Sequence, residues 1–129
     1  MIGSSGDGIE VKDAPATLVR QNTLNGNAEI GINLVGASDN SQLTKNSARA
    51  NRRYGINVED AAGVLAQGNT VVSSRSTGIF IVSPSTTVTK NTATANLGFG
   101  MNVSTTAIDG GGNKASGNGD GECDGFVCK

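Results

Sequence analysis

The stretch NSARANRRYGINV, Asn46 to Val58, decides the fold, because the chain writes it again as NTATANLGFGMNV, Asn91 to Val103. Working outward from its Gly55-Ile56-Asn57-Val58, the pattern Gly, Ile or Met, any residue, aliphatic occurs five times. The copies begin at Gly8, Gly31, Gly55, Gly78 and Gly100, at intervals of 23, 24, 23 and 22 residues. A second register runs through Asn22, Asn46, Asn69, Asn91 and Asn113, each followed five residues later by Asn27, Asn51, Ser74, Asn96 or Asn118. A third places Val19, Leu43, Ala66 and Val88 three residues before the first asparagine and fades in the last copy, where Gly110 falls. A fixed period of this length marks a stacked repeat architecture.

Each repeat holds three short segments with alternating apolar and polar residues, and no window keeps a helical apolar period. Such a unit cannot bury its own apolar face, whereas a stack of units can, with each strand pairing in parallel with its counterpart one turn away at about 4.8 Å. The expected product is an all-β parallel coil of about five turns. One side of its core is the columns Ile9, Ile32, Ile56, Ile79, Met101 and Val11, Leu34, Val58, Ile81, Val103. Small residues at Gly26, Ala50, Ser73, Ala95 and Gly117 are expected to line the opposite side. The asparagines are expected to form amide ladders, since a side-chain amide can both donate to and accept from successive turns.

These motifs resemble the right-handed parallel β-helix repeat superfamily, which includes the pectin-lyase-like solenoids. Its repeats look like N-x-x-x-x-N-x(3,4)-G-I-x-V, matched here by Asn46 to Val58 and Asn91 to Val103. The resemblance covers nearly the whole chain and implies a single-stranded right-handed β-helix, with three short strands per coil. It says little about activity, because this superfamily spans polysaccharide lyases, glycoside hydrolases and non-catalytic surface proteins. The closing DGGGNKASGNGDGECDGFVC, Asp109 to Cys128, also looks like the Cys-containing tail of exported members. Residues 1–118 are read as the coils and 119–129 as a terminal cap.

Composition narrows the function. With 10 Lys and Arg against 11 Asp and Glu, the chain has no net excess for gathering phosphates or an anionic bilayer, so neither nucleic acid nor membrane is an expected partner. No run approaches the roughly 20 apolar residues of a membrane span, and Met1 to Ser5 is unlike an export signal. Cys123 and Cys128 can close a small loop in an oxidising compartment or remain as reduced thiols. Together with the exported tail, they make an extracellular or periplasmic location the expectation.

The resemblance puts a substrate groove on the outer face of the G-I-x-V strands. There Asn33, Asn57 and Asn102 can hydrogen-bond a sugar chain, and Phe80, an aromatic in an asparagine column, can meet a pyranose face. The turn Asn51-Arg52-Arg53-Tyr54 sets two guanidinium groups and the only tyrosine nearby. A lyase or hydrolase would draw on Arg52, Arg53, Tyr54, Glu59 and Glu10, with Glu10 and Glu59 expected two coils apart at roughly 10 Å. With no histidine and no column of three carboxylates, the expected function is a binding or structural surface directed at polysaccharide, without catalysis.

No cofactor is expected. The tail acids Asp120, Glu122 and Asp124 resemble the first half of a calcium loop but lack its distal Glu, so Ca²⁺ is only a minor alternative to a polar cap, over which Phe126 and Val127 would fold. At the other end Met1 to Asp7 is too short for a capping helix. A second copy stacked on that edge, or further coils upstream, is the expectation.

Overall fold

A computed structural model describes residues 1–126 and Cys128. Among them the chain makes sixteen short strands and no helix, wound into three all-parallel sheets. The first sheet stacks β1 (Ile9–Lys12), β4 (Ile32–Val35), β7 (Ile56–Glu59), β10 (Ile79–Val82), β13 (Phe99–Val103) and β16 (Gly121–Asp124). The second stacks β2 (Leu18–Arg20), β5 (Gln42–Thr44), β8 (Leu65–Gln67), β11 (Thr87–Thr89) and β14 (Ile108–Gly111). The third stacks β3 (Thr23–Asn25), β6 (Ser47–Arg49), β9 (Thr70–Val72), β12 (Thr92–Thr94) and β15 (Lys114–Ser116). Pairing is in register with the repeat: Ile9 opposes Ile32, Ile32 opposes Ile56, Ile56 opposes Ile79, and Ile79 opposes Met101.

The interior is a narrow set of like-on-like columns. Ile32, Ile56, Ile79 and Met101 are fully buried, as are Leu34, Val58 and Ile81 beside them. Each large aliphatic removed from water contributes about 1.5 to 3 kcal/mol, which no single coil could collect alone. The facing wall differs from expectation. Gly26, Ala50, Ser73, Ala95 and Gly117 are exposed, and all five take left-handed φ between 55° and 67°. The core there is lined instead by Leu24, Ala48, Val71, Ala93 and Ala115. Small size is not what the left-handed turn itself demands, since Gln21, Lys45 and Lys90 adopt the same φ.

Two amide ladders run along the turns that flank the third sheet. In the first, each Oδ1 accepts both the backbone N–H and the Nδ2–H of the asparagine one coil earlier: Asn22 to Asn46, Asn46 to Asn69, Asn69 to Asn91, and Asn91 to Asn113, at 2.9 to 3.2 Å. The spare Nδ2–H reaches back to a main-chain carbonyl, as Asn69 does to Leu43 O at 2.8 Å. The ladder asparagines themselves are not left-handed; the residues before them are, including Gln21, Lys45 and Lys90. The second ladder joins Asn27 to Asn51 and Asn96 to Asn118, and breaks between them at Ser74, whose buried Oγ has no partner. Both ladders end on carboxylates. Asn113 Nδ2 donates to Asp109, and Asn118 Nδ2 donates to Glu122 at 2.6 Å.

The ladder also explains the invariant glycine of the repeat. A Cβ on Gly78 would lie 2.6 Å from Asn96 Nδ2 and 2.7 Å from Gly100 O, so the strand passes too close to the next turn for any side chain.

The two ends are finished differently. Ile2 bridges Asn25 in parallel, and Ser4 N donates to Asn27 Oδ1, so the first residues follow the path of one more turn over the third sheet. At the other end the tail adds β16 to the first sheet. A Cys123–Cys128 disulfide closes the tail loop, and Phe126 packs against the core cluster. Val127, expected to fold over with Phe126, lies outside the described residues.

Asn69→Ala removes two acceptor and two donor contacts inside the stack and is expected to cost roughly 3 kcal/mol, read as a lowered urea midpoint; Thr70→Ala, on an exposed neighbour, is expected to stay within about 0.5 kcal/mol. Gly78→Ala is expected to cost about 2 to 3 kcal/mol by overpacking in the same assay.

Candidate functional site

The outward column of the first sheet runs Glu10, Asn33, Asn57, Phe80, Asn102, Asp124 in paired register. Two of these positions, Asn33 and Asn57, form a further amide chain. Asn57 Nδ2 donates to Asn33 Oδ1 at 2.9 Å, and Asn33 Nδ2 donates to Asp7 Oδ2 at 2.9 Å. This ladder also ends on a carboxylate, held in turn by the Ile30 N–H at 3.0 Å. The next member should be an amide, whose N–H would satisfy Asn57 Oδ1. The chain puts Phe80 there, and Asn57 Oδ1 is buried with no partner.

Phe80 is half-buried because Tyr54, from the turn of the coil before it, lies flat on it. The ring centroids are 4.8 Å apart and the planes 6° from parallel. The Arg53 guanidinium carbon sits 5.0 Å from the Tyr54 centroid, at cation–π distance. The three side chains form one layered patch of guanidinium, phenol and phenyl, with Asn102 beside Phe80 on the far side. Asn57, expected to face solvent, is only 3% exposed beneath this patch, and its amide and that of Asn33 are spent on the ladder. What the patch offers a ligand is therefore the uncovered parts of two half-buried rings, the exposed Arg53 and the half-exposed Asn102.

The acid and base candidates do not converge. Glu59 pairs across to Val35 and Val82, one outward position further along the strand than the column of Glu10. With two coils and two residues between them, Glu10 and Glu59 are separated by roughly 12 Å at β spacing, beyond the two-carboxylate range of a glycosidase. Arg52 and Arg53 are exposed. In the tail, Glu122 is committed to Asn118 Nδ2 and to the Gly117 N–H. Asp120 and Asp124 are exposed, and no group of three metal-binding side chains gathers among the described residues.

A concavity away from this patch was not anticipated from the sequence. On the second sheet, a shallow groove of about 500 Å³ is lined by Leu18, Arg20, Gln42, Thr44, Lys45, Gln67, Gly68 and Lys90. It carries three cations and no carboxylate. The signal was present in the repeat, since the segments that become the second and third sheets hold most of their charge as Lys and Arg.

Comparison with known proteins bears on the scaffold. Human F-box only protein 10 is 30% identical over 79 residues, 61% of this chain, and the match spans 8% of that protein's length. No solved structure matches. The family described as right handed beta helix region matches residues 2–125, the span over which the parallel coils are built, and the chain belongs to that family.

Proposed function

We propose that this module is a non-catalytic binding surface directed at carbohydrate, with the Phe80–Tyr54 patch as its contact. The observation that carries the reading is the interrupted ladder. A buried acceptor left without a donor costs about 1 to 3 kcal/mol, and an asparagine at position 80 would remove that cost. A ring at this place weakens the scaffold and adds half-exposed aromatic surface, stacked with Tyr54, of the kind that packs against the C–H groups of a pyranose. Asn102 beside it supplies a polar contact for orientation. The Cys123–Cys128 bridge supports an oxidising, extracellular or periplasmic setting. Catalysis finds less support, since the two candidate carboxylates stand too far apart to share one glycosidic bond.

Phe80→Asn separates the two roles. The variant is expected to keep or raise the urea midpoint, because the ladder gain offsets the lost ring stacking of about 0.5 to 1.5 kcal/mol. On a glycan array it is expected to lose at least tenfold in binding. Undiminished glycan retention by this variant, or no retention by the parent chain on any neutral or acidic polysaccharide, overturns the reading. Incubation with uronate and neutral polysaccharides is expected to release no unsaturated or reducing ends; products abolished by Glu59→Gln would establish an enzyme instead.

A further inference from the structure

The near-zero net charge averages two unlike surfaces. The second and third sheets, with the short turn between them, carry five of the ten Lys and Arg residues: Arg20, Lys45, Arg49, Lys90 and Lys114. All five are exposed. Of the eleven Asp and Glu residues only Asp109 falls there, and its carboxylate is taken up by the Gly111 N–H and Asn113 Nδ2. The other ten acids lie on the first sheet and its flanking turns and tail.

The same two sheets also display aliphatic side chains. Leu18 is 59% exposed and Ile108 53%, both in the outermost column of the second sheet, with half-buried Leu65 between them. Ile2, 77% exposed, continues the outward column of the third sheet through its bridge to Asn25. Leu18 and three of the cations, Arg20, Lys45 and Lys90, share one groove.

We infer that this face docks on an anionic phospholipid surface. Cations set among exposed aliphatics are what such a surface rewards: the cations lie in the headgroup potential and the aliphatics enter the boundary below it. A soluble polyanion would use the cations and leave Leu18, Ile108 and Ile2 in water. Single-stranded nucleic acid would also want stacking rings, and the four aromatic residues, Tyr54, Phe80, Phe99 and Phe126, all lie outside these two sheets. No helix of the described residues is long and apolar enough to cross a bilayer. Because rigid strands present the residues, binding orders little new chain.

The site is separate from the Phe80 patch and can be tested apart from it. Sedimentation of the full chain with sucrose-loaded vesicles is expected to show binding to phosphatidylcholine containing about a third phosphatidylserine, weakened by raised salt, and none to pure phosphatidylcholine. At about fivefold per basic side chain, Lys45→Gln with Lys90→Gln is expected to weaken binding about 25-fold. Leu18→Ser is expected to weaken it several-fold, Phe80→Asn not at all, and the urea midpoints of the Lys and Leu variants are expected to stay near that of the parent. Absence of binding to the anionic vesicles at low salt overturns the inference. So does binding indifferent to Leu18→Ser and matched in strength by a soluble oligonucleotide or polyuronate, which would make the face a general polyanion site.

Discussion

Every feature of this chain depends on the vertical repeat of one coil over the next at the spacing of a parallel β-ladder. Main-chain bonds set that spacing, but they do not by themselves say which residue sits above which. The buried amides do. Asn69 can accept from Asn46 and donate to Asn91 only if the three lie directly in line, and a slip of one residue would set Asn46 against Gly68 or Thr70 and break the chain of matched amides. The ladders thus fix register at the tight turns, while the isoleucine columns supply the burial. Glycine at Gly8, Gly31, Gly78 and Gly100 follows from the same constraint, since ladder amide and neighbouring carbonyl occupy the space a Cβ would need, whereas at Gly55, where the ladder is broken, Val71 fills that space.

Seen this way, the interruptions carry the information about function. A scaffold that can repeat asparagine at will has no structural reason to put Phe80 in an outward asparagine column and leave Asn57 Oδ1 unmatched. Similarly, a rod with balanced charge has no structural reason to crowd its acids onto one side. Both departures create surfaces, an aromatic one on the first sheet and a basic, aliphatic one on the other two, and they lie on different walls of the same rod.

The repeat, the three strands per coil and the two core columns of the first sheet were legible in the sequence because a fixed period makes each coil a statement about its neighbours. The Phe80 oddity was legible for the same reason. Two kinds of fact were not. Direction of a side chain at a turn depends on φ, so Ala50 and Ala95 read as core residues when they are exposed in left-handed turns. Local pairings across coils also escape a linear reading: Tyr54 settling on Phe80, Asp7 closing the Asn33 amide, and the column offset between Glu10 and Glu59 all require the register to be known to the residue. The basic groove was hidden by summing charge over the chain instead of along each wall.

The amide ladders have a direction. In both ladders beside the third sheet the amide-to-amide N–H bonds all point toward the carboxyl-terminal coil, and the last forward N–H in each is held by a carboxylate, Asp109 or Glu122. Those oxygens stand where the Oδ1 of another asparagine would arrive. A further turn of any solenoid, from this chain or a neighbouring molecule, would have to evict a charged acceptor and offer a neutral one in exchange. The acids therefore leave no forward amide of Asn113 or Asn118 without an acceptor, and they put negative charge at the end of two otherwise neutral hydrogen-bonded columns.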